Sequence, residues 1–193
     1  MNEYVWYASY GSNLLRERFM CYIKGGRPEG STTTYKGCTD KQPPLRDKRI
    51  TIPHELYFAK ESDTWENKGV AFIRSTKDSD AKTLGRMYLI TREQFTQVVR
   101  QENGRDPGHK SIQIDFESTV NNGESLIPIR CWYGRIIYLG DADNEPIFTF
   151  TAKREEDKIE PGMKYLSMIK KGLKEAYGIS NEEIASYLRK AGA

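Results

Sequence analysis

Tyr7-Ala8-Ser9-Tyr10-Gly11-Ser12-Asn13-Leu14 is the stretch on which the fold turns. Val5 to Tyr10 is predicted as a strand, broken by the glycine. Leu15, Phe19, Tyr22 and Ile23 then follow at spacings of three and four, one face of a helix that Gly25-Gly26 stops. A strand that breaks at glycine and opens a helix leaves the first backbone N–H groups of that helix unpartnered, beside the positive end of its dipole. Such a turn is suited to an anion. Ser12 and Asn13 are also good helix caps. From these eight residues alone, cap and ligand loop are both open.

Working outward, Arg27 to Pro53, with Thr32-Thr33-Thr34 and Pro43-Pro44, is polar and turn-rich and reads as a long excursion between parts of one sheet system. Leu56 to Ala59, Gly69 to Arg74, Leu84 to Ile90, Ile112 to Phe116, Ile127 to Tyr138 and Ile147 to Thr151 are predicted strands, with Asn121-Asn122-Gly123 as a hairpin turn. Two helices close the chain. Leu166, Ile169 and Leu173 form the apolar stripe of one, which ends near Gly178. Ser180 and Glu183 make a capping box ahead of Ile184, Tyr187 and Leu188 in the other.

A helix from about Arg92 to Glu102 carries the second informative feature. Thr91 is its expected N-cap, with Gln94 as reciprocal partner, and its apolar face is Phe95, Val98 and Val99. The next member of that face is Glu102, a carboxylate on a buried stripe in the last turn, just before Asn103-Gly104. Partial desolvation and the negative end of the helix dipole both disfavour its charged form, so its pKa is expected to rise, as general acid–base work requires. The plain alternative is a carboxylate that reaches water or meets Arg100 or Arg105.

Composition narrows the classes. A chain of 193 residues, 37% hydrophobic, can bury one substantial core, and a single domain over 1–193 is expected. A net charge of +3, with Lys and Arg interspersed among acidic residues, gives no footprint for nucleic acid or a membrane surface. Trp6, Trp65 and Trp132 show no interleaving with basic residues that would make a single-strand platform. No run has the apolar length of a membrane span, and Met1-Asn2-Glu3-Tyr4 lacks the regions of a signal peptide, so a cytoplasmic location is expected. Cys21, Cys38 and Cys131 are odd in number and widely spaced, which argues against a disulfide framework. His54 and His109 stand at no metal-ligand spacing and are read as ordinary surface or loop residues. No metal or cofactor is expected, nor Ser-His or Cys-His nucleophilic catalysis.

Four landmarks occur in a fixed order: Tyr10-Gly11-Ser12-Asn13-Leu14 after a strand; Ser62 to Ile73, containing Trp65-Glu66-Asn67-Lys68-Gly69; Leu84-Gly85-Arg86-Met87-Tyr88-Leu89-Ile90 leading to Glu102; and Pro161-Gly162-Met163-Lys164-Tyr165-Leu166 followed by Lys171-Gly172-Leu173 and Tyr177-Gly178-Ile179. Together they resemble the gamma-glutamylcyclotransferase-like family over nearly the whole chain. The resemblance implies an α+β fold, a small mixed β-barrel with helices packed outside and a cavity at one end. It also implies an enzyme that expels an amine or amino acid from a small gamma-glutamyl compound while closing 5-oxoproline. By position, Tyr10, Gly11, Ser12 and Asn13 form the substrate loop, Glu102 is the catalytic acid and base, and Tyr165 is a cavity-wall hydroxyl, or else an ordinary packing aromatic. The chain departs from the family in Asn103 directly after Glu102, where a glycine is usual, and in the length of the excursion and of the loop Gly104 to Lys110. Two other readings stand beside this one: a non-catalytic module binding small carboxylates or metabolites on the same fold, and amide hydrolysis with Glu102 activating water.

Overall fold

The computed structural model of the chain describes residues 3–29, 31 and 33–193. Met1 and Asn2 of the N-terminal stretch, and Thr32 of the threonine triplet, lie outside the described residues. The organising strand is β1 (Tyr4–Ser9). It runs antiparallel to β5 (Thr83–Thr91), with Tyr7 opposite Tyr88, and parallel to β8 (Glu145–Thr151), with Tyr7 opposite Phe148. Flanked on both edges and covered on both faces, it carries the near-continuous apolar run expected of a central strand. β2 (Arg46–Ile52) extends the sheet beyond β5, and β7 (Arg135–Ala142) and β6 (Glu124–Leu126) extend it beyond β8, giving the order β2-β5-β1-β8-β7-β6.

β3 (Leu56–Ser62) and β4 (Lys68–Ile73) form a separate antiparallel hairpin. The expected barrel is therefore incompletely closed. Where a backbone ladder would join β4 to β8, the Thr151 hydroxyl donates to the Ile73 carbonyl (2.6 Å) and accepts from the Ile73 N–H (3.2 Å). Farther along, Gly69 N–H donates to Glu160 O and Ile159 N–H to Phe58 O, so the segment after β8 bonds to both strands of the hairpin.

α1 (Arg16–Lys24) follows β1, α2 (Arg92–Glu102) follows β5, and α3 (Phe116–Asn122) precedes β6; α4 (Met163–Tyr177) and α5 (Asn181–Lys190) end the chain. The capping boxes at Thr91/Gln94 and Ser180/Glu183 are present, and Gly178 ends α4 at φ 66°. No helix among the described residues is long and apolar enough to cross a membrane.

Five local expectations are corrected. Arg27 to Pro53 contains β2, an exposed edge strand whose charged residues mask its β character. Ile112 to Phe116 is not a strand: the Asp115 carboxylate caps α3, and the Ile112 carbonyl accepts from Arg100. Asn121-Asn122-Gly123 is not a hairpin turn but the end of α3, where glycine at φ 78° meets the same left-handed requirement. Ile127 to Tyr138 divides, its first part forming the loop between β6 and β7. His54, though in a loop, is buried, with Nδ1 2.8 Å from Arg74 O.

Candidate active site

β1 ends at Ser9, and a single 3-10 turn, Ser12–Leu14, intervenes before α1. Leu15, in an extended conformation, separates that turn from α1. The expected direct passage from glycine into α-helix is thus corrected. The axis of α1 begins four residues after Ser12, so its dipole does not end at Gly11. Neither Ser12 nor Asn13 caps a helix with its side chain, which removes the cap reading. Packing explains the displacement. Gly172 of α4 lies against the turn so closely that a Cβ there would sit 2.4 Å from Leu15 N and 2.6 Å from Leu14 C.

Asn13 turns inward. Its Nδ2 donates to Glu102 Oε1 (2.7 Å) and to the Tyr7 hydroxyl (3.2 Å), its backbone carbonyl accepts from the Tyr88 hydroxyl (2.8 Å), and its buried Oδ1 has no hydrogen-bond partner. The loop and the end of α2, 89 residues apart, are joined at this contact. Glu102 keeps intermediate exposure as a residue, but burial raises its carboxyl above the ordinary range. The charge of Arg18 and hydrogen bonds from Tyr22 and Asn13 oppose that rise. Arg100 turns away to Ile112 O, Pro107 O and Glu93, so it does not neutralise Glu102.

Tyr10, Gly11, Ser12, Asn13, Glu102 and Tyr165 line one small cavity of about 30 Å³. The Tyr10 hydroxyl donates to Phe150 O (2.6 Å), fixing the ring to β8. The Tyr165 hydroxyl accepts from Ala71 N–H (3.0 Å), which leaves its own proton available to the cavity. Burial pushes this phenol up to about 12. A Cβ on Gly11 would lie 2.8 Å from the Tyr165 oxygen, so the glycine is required by space, its φ of −110° being open to any residue.

Tyr7, Ala71, Tyr133 and Phe150 also line the cavity and were not anticipated. Tyr7 stands in the decisive stretch, but nothing in its strand pattern separates a cavity tyrosine from a core one. Tyr133 lies in an irregular loop with no such pattern. Asn103 pins it, donating from Nδ2 to Tyr133 O (3.0 Å) and accepting the Tyr133 N–H at Oδ1 (2.9 Å). Asn103, the residue directly after Glu102, therefore fixes the wall facing Glu102.

A second, larger chamber, of about 290 Å³, meets the first at Ser12, Glu102, Tyr133 and Tyr165. Arg18, Tyr22, Thr33, Tyr35, Trp65 and Trp132 are among its other walls. The excursion closes one side of it, where the Thr33 and Thr64 hydroxyls are 3.1 Å apart. Among the described residues, no group of three or more His, Cys, Asp and Glu is arranged to hold a metal ion.

This arrangement has the gamma-glutamylcyclotransferase-like fold. A solved structure of a gamma-glutamyl cyclotransferase superposes with a TM-score of 0.54 at 16% identity, over 95% of this chain and 86% of that one. An uncharacterized protein from Homo sapiens gives 0.55 at 16% identity, over 96% and 86%. YkqA from Bacillus subtilis gives 0.53 at 14% identity, over 100% of this chain and 55% of that one. No family model matches the sequence. In sequence the chain is similar to Histone deacetylase 5 of Arabidopsis thaliana, 37% identical over 201 residues, which is 97% of this chain and 30% of that protein. The chain thus spans less than a third of the length of that curated relative.

Proposed function

We propose that the chain is a gamma-glutamyl cyclotransferase that releases 5-oxoproline and a free amine or amino acid, with Glu102 as proton carrier. One observation carries this reading: the Glu102 carboxylate is held by the Asn13 amide at 2.7 Å inside a cavity walled by the Tyr10 to Asn13 loop. The substrate supplies its own nucleophile, the α-amine, and its own electrophile, the γ-carbonyl. As the ring N–C bond forms, the amine proton passes to Glu102. As the C–N bond to the departing amine breaks, Glu102 returns that proton to the departing nitrogen. The orphaned Asn13 Oδ1 is an acceptor suited to orienting the α-amine, and the Tyr165 O–H a donor suited to the developing oxyanion. Holding the glutamyl chain curled is worth effective molarities of roughly 10⁵ to 10⁸ M, which is why so small a catalytic inventory suffices.

The test is 5-oxoproline release from a panel of gamma-glutamyl dipeptides and amines. Glu102→Gln is expected to lower kcat by about 10²- to 10⁴-fold. No product from any compound, or undiminished release by the variant, rejects the assignment. Free glutamate in place of 5-oxoproline means hydrolysis.

A second reading, a non-catalytic carboxylate-binding module, rests on the same cavity, whose walls of tyrosine hydroxyls and the Asn13 amide can hold a carboxylate without turning it over. It requires that carboxylates bind, that no gamma-glutamyl compound yield 5-oxoproline, and that Glu102→Gln leave that binding unchanged. Deacetylation is not carried over, because 70% of the protein so named lies outside the matching stretch.

A further inference from the structure

We infer that the larger chamber receives the departing amine and that Arg18 selects amines carrying a negative charge, an assignment that rests on the cyclotransferase reading. The two chambers share Glu102, the group that must meet the departing nitrogen. With the glutamyl part curled in the inner chamber, whatever is attached to that nitrogen projects into the outer one. Arg18 and Glu102 are the only charged side chains among the described residues lining it.

Arg18 is 3% exposed. Its Nη2 donates to the hydroxyls of Tyr22 (2.9 Å) and Tyr35 (2.8 Å), and its guanidinium lies 4.5 Å and 4.6 Å from the centres of those two rings. Nε and Nη1 are buried without any hydrogen-bond partner. Nη2 contributes two of the five N–H groups of a guanidinium, so the other three are unspent. A buried cation with unspent donors and no directly bonded carboxylate is costly unless an acceptor arrives. The orphaned donors and the single cation together suit an anionic group on the amine. Trp65, Trp132 and Tyr35 supply flat apolar walls for the remainder of the molecule.

Trp65 and Trp132 also provide the readout. Binding of phenylalanine and of phenylalaninamide is followed by intrinsic fluorescence of the full chain, and 5-oxoproline release is compared for the gamma-glutamyl derivatives of both. Phenylalanine is expected to bind about 10- to 100-fold more tightly than the amide, and its derivative to have the higher kcat/KM by a similar factor. Arg18→Gln is expected to erase the difference, and Arg18→Lys to retain part of it. Equal binding of the two amines by the unaltered protein overturns the assignment without requiring any variant to fold. If Arg18 only steadies Glu102, Arg18→Gln slows both derivatives equally and leaves the preference intact, which also overturns it. If neither derivative yields 5-oxoproline while the binding preference holds and depends on Arg18, the cyclotransferase reading and the departing-amine role fail, and Arg18 as an anion anchor stands.

Discussion

Glu102 is held between two opposing demands. Burial raises its pKa, whereas Arg18, Tyr22 and Asn13 favour the ion. To accept the amine proton it must be ionised, so kcat/KM is expected to fall on the acid side with a midpoint above the ordinary glutamate value of about 4.3, read from a pH–rate profile. Stability should run the other way. The folded state retains this proton after the unfolded chain has lost it, so between the ordinary value and the raised one stability falls as pH rises. Glu102→Gln is therefore expected to be more stable than the unaltered protein at neutral pH, with the advantage shrinking as pH drops through that window, measured by denaturant unfolding. Gly11 offers a separate test. Gly11→Ala brings a Cβ to 2.8 Å from the Tyr165 oxygen and 3.2 Å from Ala71 Cβ. A loss of about 1–3 kcal/mol is expected, and Tyr165→Phe in the same chain should restore part of the stability but not the turnover.

At the scale of elements, α4 and α2 position the site from opposite sides. α4 presses Gly172 against the backbone of Leu14 and Leu15. In an unobstructed helix alanine is about 1 kcal/mol better than glycine, but here the obstacle is backbone and cannot rotate away. Gly172→Ala is expected to cost about 1–3 kcal/mol net and to raise KM, since the loop carrying Asn13 must shift; a melting curve and a saturation curve measure the two effects. α2 buries a polar face as well as an apolar one. Gln94, Gln97 and Gln101, spaced as one helical face, hydrogen-bond the excursion at Asp40 O and Gln42 O, at Thr39 N–H, and at Gly37 N–H. These contacts mark the limit of what is legible in the sequence. Thr91 with Gln94, Ser180 with Glu183, Gly178, and Glu102 on the stripe of Phe95, Val98 and Val99 are local patterns, each read within one turn of helix. The glutamine face, Tyr133 and Arg18 were not legible. Their partners lie 30 or more residues away, or their role depends on a chamber assembled from several elements. β2 was missed because an edge strand needs little apolar patterning to pair.

Across the whole molecule, the cavity belongs to no single element: β1, β4, β8, α2, α4 and the loop after β1 all contribute walls. We expect residues 1–193 to behave as one domain, with near-ultraviolet circular dichroism and tryptophan fluorescence losing signal in one coincident transition. Two separated transitions would mean that the β3–β4 hairpin with its trailing segment unfolds apart from the sheet. The parallel pairing of β1 with β8 carries a consequence for synthesis. Tyr10 and the carbonyl it meets on Phe150 are 140 residues apart, so a ribosome adding roughly 5 to 20 residues per second makes the first strand wait about 7 to 28 s for its neighbour. During that interval the apolar run Val5 to Ala8 has at least one edge without its partner strand, and until β5 is made it has neither partner, so the nascent chain depends on whatever shields it.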